Sequence, residues 1–398
     1  MSKFSKRIKY DARAFLQSML WEFKYIIKDS AVFTSFIGVA ILVSFLYTYI
    51  YANETLPALN VGAVDLDNST YSRQFLRMAS SSGDIQVQGH YTDLEEAKKA
   101  FTNQTMHGII IIPREFSRDL QKGNQPVVSI YADASYILYY KQIVTATQIA
   151  ATYMGAGITL KKNMAEGKLA TEAMSQTRPV SGTVVSLYNP SSGYGTFLVP
   201  IVLVIIFQTT ILTAIGILGG TMREGGKFTK LYPNANYFLG TLPIVMGKAT
   251  TYLIISLTIL MIMLGIVMPT FHIPMRNGIL PVIIFMIPFF LSIVYLGIFL
   301  LSYFKRREDA ILFIMFTSIP TLMVTGYSWP LKAMPDWINI ISYLFPSTLG
   351  SRGFVAMTQM GASLQTIQHI WVEMWALCLF YLILATLAMK KIYLNERK

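Results

Sequence analysis

The sequence predicts a membrane α-helical protein with six transmembrane helices in a 1+5 arrangement and an inserted α/β extracytoplasmic domain. Two observations carry this prediction. Of the 398 residues, 53% are hydrophobic and 14% are charged, whereas soluble domains carry about 25% charged residues. One apolar stretch stands near the start, and five more follow a long polar region, residues 52–193. Each stretch approaches the roughly 20 residues that a helix needs to cross a bilayer.

The predicted transmembrane helices follow the apolar stretches directly. They are Ala31–Tyr51, Gly195–Gly219, Thr241–Met268, Ile279–Phe304, Ala310–Tyr327 and Ile370–Ile392. Residues 194–398 hold the last five helices and also an outer segment, 328–369, that is too apolar for a free loop. We expect this segment to fold back into the outer leaflet as short re-entrant helices, because irregular backbone at membrane depth must be buried in protein or line a cavity.

The net charge of +12 is concentrated beside the apolar stretches. Residues 52–193 hold 12 basic and 12 acidic side chains, whereas residues 1–30 hold 7 basic and 3 acidic ones. Short basic segments next to transmembrane helices are typical of cytoplasmic loops. The pattern predicts that both termini are cytoplasmic and excludes nucleic acid as a partner, since no soluble part of the chain carries a basic patch.

The single cysteine, Cys378, lies inside the last apolar stretch, so no intramolecular disulfide can form. A large exported domain without disulfides is typical of a bacterial envelope protein. We therefore expect a multi-pass protein of the bacterial plasma (inner) membrane.

Residues 1–30 predict an amphipathic helix on the cytoplasmic membrane surface. The apolar positions Phe15, Leu16, Met19, Leu20, Phe23, Ile26 and Ile27 recur at helical spacing. Lysine and arginine residues fall off that stripe, as in helices that lie in the interface plane and contact membrane lipids. The alternative is a short soluble helix packed on a partner.

The region 52–193 alternates strand-like and helix-like segments, which favours a mainly parallel sheet. The predicted strands are Leu59–Asp67, Ile85–Gly89, Gly108–Pro113 and Val127–Tyr131. The stretch from Tyr136 to about Ser175 predicts one or two helices, with a break near Gly155 and Gly157.

Motifs for catalysis and for nucleotide binding are missing from the sequence. The segment "GGTMREGGKF" resembles a phosphate loop only superficially, because Lys227 is followed by Phe228 and Thr221 stands where the first glycine should be. The four histidines lack the spacing of metal ligands. We therefore expect no enzyme activity, catalytic residue, metal or cofactor in this chain.

Charged residues are also scarce within the predicted transmembrane helices, whereas ion-coupled carriers usually keep ionisable groups there. Lys248, near the start of the third helix, is expected to extend its ammonium group to the interface. If the protein transports a solute, a separate subunit must therefore supply the energy. The cytoplasmic loop with Arg223, Glu224, Gly226, Lys227 and Leu231 is the largest surface available to such a subunit; the alternative is a basic loop that only anchors to lipid.

Several segments together resemble the ABC-2 type permease family, the transmembrane subunits of ABC exporters with a large domain after the first helix. They are "EFKYIIKDS" (Glu22–Ser30), "VGAVDLDNSTYSRQF" (Val61–Phe75), "GIIIIPREFSRDLQKG" (Gly108–Gly123), "YNPSSGYGTFLVP" (Tyr188–Pro200), "GTLPIVMGKA" (Gly240–Ala249) and "GYSWPLKAMPDWINIISYLFPST" (Gly326–Thr348). The resemblance covers nearly the whole chain in order. The cytoplasmic loop departs from the family pattern, since "REGGKFTKL" is two residues shorter and lacks two acidic residues.

The resemblance implies a permease subunit of an ATP-driven exporter. It implies a homodimer, or a heterodimer with a sister permease, bound to cytoplasmic ATPase subunits that hold ATP and Mg²⁺. The second and fifth transmembrane helices would line a path along the dimer axis, and the outer domain would receive cargo or bind a periplasmic adaptor. An outer gate would comprise Tyr327, Trp329, Pro330, Met334, Pro335 and Pro346. The alternative is a membrane-anchored receptor or envelope assembly scaffold without transport activity.

Overall fold

The chain divides into two compact units in the structure, a computed structural model that describes residues 3–177, 185–226 and 240–396. The first unit comprises Met1–Glu54 with Ser186–Lys398, and the second comprises Thr55–Val185. Each unit has its own buried apolar core.

The first unit is helical throughout its described regular structure. Its helices are α1 (Lys3–Lys28), α2 (Ser30–Ile50), α8 (Tyr194–Glu224), α9 (Leu242–Thr270), α10 (Ile279–Leu300), α11 (Arg307–Val324), α12 (Asp336–Ser342), α13 (Pro346–Thr358) and α14 (Gln368–Glu396). Short π-helical segments, Thr34–Gly38 and Met263–Val267, interrupt α2 and α9.

The second unit combines four strands with five helices. These elements are β1 (Leu59–Asp65), α3 (Thr70–Ser80), β2 (Ile85–His90), α4 (Leu94–Thr102), β3 (Gly108–Ile112), α5 (Phe116–Lys122), β4 (Ser129–Ala132), α6 (Ile137–Ala165) and α7 (Ala170–Thr177).

The strands of the second unit form one sheet in the order β2-β1-β3-β4. β1 pairs in parallel with β2 and β3, whereas β4 runs antiparallel at the edge. The central strands are nearly continuous runs of Val, Ile and Ala buried on both faces, as parallel strands covered by helices require. Helices α3, α5 and α6 contribute to the core on one face, while Ala97 of α4 packs against Val64 and Ile109 in a smaller cluster.

Six helices in the described parts of the chain are long and apolar enough to cross a membrane. Together with the composition, this makes the chain a membrane α-helical protein. Five of the six are α2, α8, α9, α10 and α14, which coincide with predicted transmembrane helices. The sixth is α6, which the sequence analysis assigned to the inserted domain.

The predicted transmembrane helix Ala310–Tyr327 corresponds to α11, which is not among these six candidates. Helix α11 has 18 residues, and the first three, Arg307, Glu308 and Asp309, are charged. The apolar remainder ends at Val324 and is about 22 Å long at 1.5 Å per residue. That is shorter than the bilayer core of about 30 Å.

Helix α6 runs without interruption from Ile137 to Ala165, so the predicted break near Gly155 and Gly157 is wrong. It is a membrane-spanning candidate by length and composition, because most of its residues before Lys161 and Lys162 are apolar. Ile143, Ala146 and Ala150 of α6 are nonetheless buried in the sheet core of the second unit.

The segment 328–369 contains short helices, and its expected re-entry into the outer leaflet stays a prediction. A single 3₁₀ turn, Leu331–Ala333, precedes α12, and α13 follows Phe345. Helix α13 is buried along almost its whole length, and the backbone N–H of Ser347 donates to Gln208 Oε1 of α8 at 2.9 Å. A polar side chain from a membrane helix therefore satisfies one of the free amide groups at the start of α13.

Glu54 ties the end of α2 to the start of α8. Its carboxylate accepts hydrogen bonds from the backbone N–H of Thr196 at 3.1 Å and from the Thr196 hydroxyl at 2.7 Å. The negative charge lies at the positive end of the α8 dipole. The contact requires a glycine at 195, since a Cβ there would lie 2.5 Å from the carbonyl oxygen of Tyr51.

We expect Glu54→Ala to destabilise the protein by about 1–2 kcal/mol, because it removes a charged N-terminal cap of α8. Glu54→Gln should lose less stability, since its amide oxygen can still accept a hydrogen bond from Thr196. Thermal unfolding in detergent monitors both variants, and Glu95→Ala, on the exposed face of α4, is the control. Equal midpoints for Glu54→Ala and the native protein would contradict the capping role.

Candidate functional site

Helix α1 packs on the protein through a face that holds three buried polar residues and the fully buried Ile26. Asp11, Ser18 and Glu22 are buried, whereas the predicted interfacial residues divide into two groups. Phe15 and Met19 are half-buried against the protein. Leu16, Leu20 and Phe23 are 49%, 62% and 45% exposed and form an apolar surface on the opposite side. This surface suits contact with membrane lipids.

A buried ion pair joins α1 to α9. Lys248 Nζ donates to Glu22 Oε2, and the hydroxyl of Tyr252 donates to Glu22 Oε1 at 3.1 Å. The side chains of Glu22 and Lys248 are only 3% and 4% exposed. The Lys248 ammonium also lies 5.3 Å from the ring centroid of Trp21. We refer to Trp21, Glu22, Lys248 and Tyr252 as the α1–α9 cluster.

The α1–α9 cluster depends on a close approach of the two helices. A Cβ at Gly247 would lie 2.0 Å from Ser18 Oγ and 2.3 Å from the carbonyl oxygen of Phe15. One turn further, the Thr251 hydroxyl donates to the carbonyl oxygen of Met19 at 2.9 Å. Small residues that let backbones approach are typical of helix contacts within membranes.

The expectation that Lys248 reaches the membrane interface is therefore wrong. Its ammonium group is paired inside the protein, because Glu22 offers a carboxylate at hydrogen-bonding distance. The sequence contained a signal for this pair, since Glu22 falls near the apolar stripe of α1 and Lys248 falls within an apolar segment. Nothing in the sequence indicated that the two segments, 226 residues apart, would meet.

A groove of about 230 Å³ lies beside the α1–α9 cluster, where the end of α1 meets the end of α8. Trp21, Tyr25 and Lys28 line it from α1, and Thr221 and Met222 line it from α8. Trp21 and Tyr25 stack with their ring centroids 4.2 Å apart. The groove thus places α1 beside the segment that carries the predicted coupling residues.

Arg223 is in the last turn of α8 and inserts into the end of α10. Its guanidinium donates to the carbonyl oxygens of Leu301 at 2.8 Å and Ser302 at 3.2 Å, and also to that of Phe304. These carbonyl groups lack partners within α10, and the end of a helix attracts a cation. Arg223 therefore fastens α8 to the turn that follows α10.

Glu224, the next residue, contacts the other end of the same turn. Its carboxylate Oε1 accepts from the backbone N–H of Arg307 at 3.2 Å, at the start of α11. Within the turn, Asp309 Oδ2 accepts from the N–H groups of Arg306 at 3.0 Å and Lys305 at 2.9 Å. These two hydrogen bonds hold the pKa of the Asp309 carboxyl below its ordinary value.

The other residues of the predicted coupling loop do not all lie within the described structure. Gly226 closes the end of α8 with a positive φ of 56°, a conformation that favours glycine. Lys227 and Leu231 lie outside the described residues. The coupling role predicted for Arg223 and Glu224 stays a prediction, and the sequence analysis missed that both contact the α10–α11 turn.

The structure divides the predicted outer gate between exposed and buried positions. Trp329, Pro330 and Pro335 are exposed, Met334 is half-buried, and Pro346 is buried as the first residue of α13. The half-buried Tyr327 donates its hydroxyl to the carbonyl oxygen of Ser351 at 3.3 Å.

One apolar side of helix α11 is not covered by the described residues of this chain. Met315, Phe316, Ile319 and Met323 are between 58% and 74% exposed. The opposite side, with Ala310 and Ile314, is buried. Helix α11 is therefore a peripheral helix of the first unit, with an apolar surface free for lipid or for another chain.

We expect Lys248→Met to destabilise the protein by about 3–5 kcal/mol, because it leaves the Glu22 carboxylate buried without its cationic partner. The double variant Glu22→Gln/Lys248→Met should recover much of that loss, since no buried charge remains. Reversible unfolding in mixed micelles measures the free energies, and Lys305→Met in the exposed turn is the control. If the losses in unfolding free energy from the two substitutions were additive in the double variant, the coupling between Glu22 and Lys248 would be disproved.

The comparisons with known proteins agree with this architecture. The model of the ABC-2 family transporter protein family matches residues 30–390. The chain is 23% identical over 287 residues to the probable multidrug ABC transporter permease YbhR of Escherichia coli K12, which covers 71% of this chain and 72% of that protein.

Two further relatives come from other organisms. The linearmycin resistance permease protein LnrN of Bacillus subtilis is 21% identical over 338 residues, covering 78% of this chain and 83% of LnrN. ABC transporter G family member 20 of Dictyostelium discoideum is 21% identical over 344 residues, covering 84% of this chain and 45% of that protein. The family match extends from the start of α2 almost to the end of α14, so the chain belongs to the ABC-2 family of transporter proteins.

Proposed function

We propose that this protein is the permease subunit of an ATP-driven ABC exporter, with the ATPase on separate cytoplasmic subunits that bind ATP and Mg²⁺. The observation that carries the proposal is the linkage of three helix ends at one turn. Arg223 and Glu224 fasten the end of α8 to the end of α10 and the start of α11. The α1–α9 cluster ties the neighbouring helix α1 to α9.

This linkage suits the transmission of a force. A protein that pushes on the end of α8 would displace the turn between α10 and α11, because charged hydrogen bonds join them. Helix α9 follows α1, since the Glu22–Lys248 pair cannot separate without exposing two charges to an apolar interior. Movement of ATPase subunits would thus reach α8, α9, α10 and α11 together.

A dimer is the second part of the proposal. The apolar side of α11 with Phe316 and Ile319 is not covered by the described residues of one chain. The apolar part of α11 is also shorter than the hydrocarbon core of the bilayer, and a short helix can reduce this mismatch by oligomerising. A second permease, either the same chain or a sister chain, would cover this surface. Helices α8 and α11 from both copies would then line a path along the dimer axis.

Residues near this path suggest the class of substrate. The uncovered side of α11 carries Ile, Phe and Met side chains, and an apolar surface favours apolar solutes. The names of two relatives refer to multidrug transport and to linearmycin resistance. An apolar small molecule moved out of the cytoplasm is the substrate class that we propose.

The arrangement in the membrane completes the proposal. Helix α2 would cross the inner membrane outward, and the second unit would lie outside. Helices α8, α9, α10, α11 and α14 would then cross in turn, with α11 as a short crossing, so that both termini are cytoplasmic. The basic segments beside the helices support this orientation. The second unit would then be placed to receive cargo or to bind a periplasmic adaptor.

The coupling role is tested by purifying the tagged protein from its native membrane. We expect an ATP-binding cassette subunit in the complex and Mg²⁺-dependent ATP hydrolysis by the reconstituted complex. Glu224→Ala should reduce hydrolysis and transport by about tenfold or more, since it removes both a charge and a contact of about 1.5–3 kcal/mol. A complex without an ATPase would favour the receptor or scaffold alternative.

The matched variant Glu224→Gln separates two roles of the side chain. Glutamine keeps an oxygen that can accept from the N–H of Arg307 but has no charge. If the Glu224 charge contacts the ATPase, Gln and Ala reduce hydrolysis alike. If Glu224 only fastens the α10–α11 turn, the Gln variant retains near-native activity while the Ala variant does not.

The orientation is tested by single cysteines in a Cys378→Ser background. We expect Glu95→Cys in α4 and Glu166→Cys after α6 to react with a membrane-impermeant maleimide in spheroplasts, because both lie in the second unit and are exposed. Lys305→Cys should react only after permeabilisation. Labelling of Glu95→Cys without Glu166→Cys would show that α6 crosses the membrane.

A further inference from the structure

The second unit contains a cavity of about 1000 Å³ between α3, α5, α6 and the segment that leads into β4. Ligand sites for drug-sized molecules have volumes of about 300–1000 Å³. The cavity is partly open to the surface, where the exposed Lys161 and Lys162 line it. A cleft of this size can hold a drug-sized molecule.

The cavity exists because α6 stops filling the space beyond its contact with the sheet. Ala146, Ala150 and Met154 are buried in the sheet core. Gly155 and Gly157 follow in the next turn, and a Cβ at either position would meet no atom within 4 Å. Two residues without side chains thus leave open the space that a leucine or isoleucine would occupy.

The body of the cavity is apolar. Phe75, Met78, Phe116 and Ile158 line it together with Ile130. Phe75 and Phe116 also contact each other edge to face, with their ring centroids 6.1 Å apart. Such a lining favours a hydrocarbon or aromatic body over a polar one.

The rim of the cavity is basic. Lys161 and Lys162 line it, and Gly123 places its backbone close to the Lys162 ammonium, since a Cβ there would lie 3.8 Å from Nζ. Among the described residues that line the cavity, none is Asp or Glu. Amide side chains, Gln121, Asn124 and Gln125, add hydrogen-bond donors on the same side.

We propose that this cavity binds an anionic amphiphile, with the apolar body between α3, α5 and α6 and the acid group at Lys161 and Lys162. The site goes beyond the proposed export function and does not depend on it, because binding requires no ATPase. The acid could come from a bilayer lipid or from a free fatty-acid-like molecule, and the experiment below separates these sources.

The test is photo-crosslinking of the full-length protein in nanodiscs of phosphatidylcholine. The probe is a long-chain fatty acid with a diazirine in the chain, and the matched probe is the corresponding alcohol. We expect the acid to label peptides of the cavity lining, mapped by mass spectrometry around Phe75, Phe116 or Ile158. Labelling confined to other parts of the protein would overturn the proposal.

Two sets of variants separate the charge from the cavity. Lys161→Gln/Lys162→Gln should raise the concentration for half-maximal labelling by the acid about tenfold, as for loss of a charged hydrogen bond, without changing labelling by the alcohol. Lys98→Gln/Lys99→Gln, on α4 of the same unit, removes the same charge as a control. Equal effects of both pairs would contradict the assignment of the rim lysines.

Gly157→Leu should abolish cavity labelling by both probes, because its side chain fills the open space. Leucine is a better helix former than glycine, so the variant should unfold at the same or a higher temperature than the native protein. Undiminished labelling of the folded Gly157→Leu variant would overturn the site.

The source of the ligand follows from competition. Protection of the cavity by phosphatidylglycerol in the nanodisc would identify a bilayer lipid, and protection by oleate alone would identify a free acid. Both results support the site. Failure of both to compete, with the acid probe still bound at the cavity, would overturn the assignment to an anionic amphiphile.

Discussion

The contact between Glu22 and Lys248 fixes the position of α1 against the membrane helices. Each charge alone would be costly in an apolar interior, so the two side chains stay together and hold their helices together. Tyr252 satisfies the second carboxylate oxygen of Glu22, and the absence of a side chain at Gly247 lets the backbones approach. Because this contact turns the side of α1 that carries Glu22 toward the protein, the side with Leu16 and Leu20 is exposed.

The same physical rule organises the helix ends of the first unit. A helix leaves amide groups free at its start and carbonyl groups free at its end, and these must find partners. Glu54 supplies an acceptor at the start of α8, and Glu224 does so at the start of α11. Arg223 supplies the donor at the end of α10. Charged side chains from one helix thus complete the ends of another, so the helices are mechanically connected.

The second unit is held together by apolar packing around a sheet. Its sheet buries continuous apolar strands between helices, and α6 is apolar enough to resemble a transmembrane helix because it must cover that sheet. Ile143, Ala146, Ala150 and Met154 of α6 are buried in the sheet core, whereas Gly155 and Gly157 border an open space. A unit that folds around a sheet while leaving a large apolar space is suited to bind a ligand as well as to maintain its own fold.

Hydropathy and periodicity predicted most elements of this protein. The strands at Leu59, Ile85 and Gly108 begin at the predicted residues, because runs of Val and Ile bounded by turn residues have few alternatives. The amphipathic helix α1 was recognised from its spacing of apolar residues. The assignment of α11 as a transmembrane helix stays a prediction, since its apolar part is shorter than the bilayer core.

The sequence by itself determined the family and the membrane class. Only the tertiary structure decided which groups are partners. The pairing of Glu22 with Lys248, the insertion of Arg223 into the end of α10 and the cavity beside α6 each depend on residues far apart in the chain. The spacing of residues in the sequence indicates which face of a helix is apolar. The partner of a buried charge depends instead on how the helices pack.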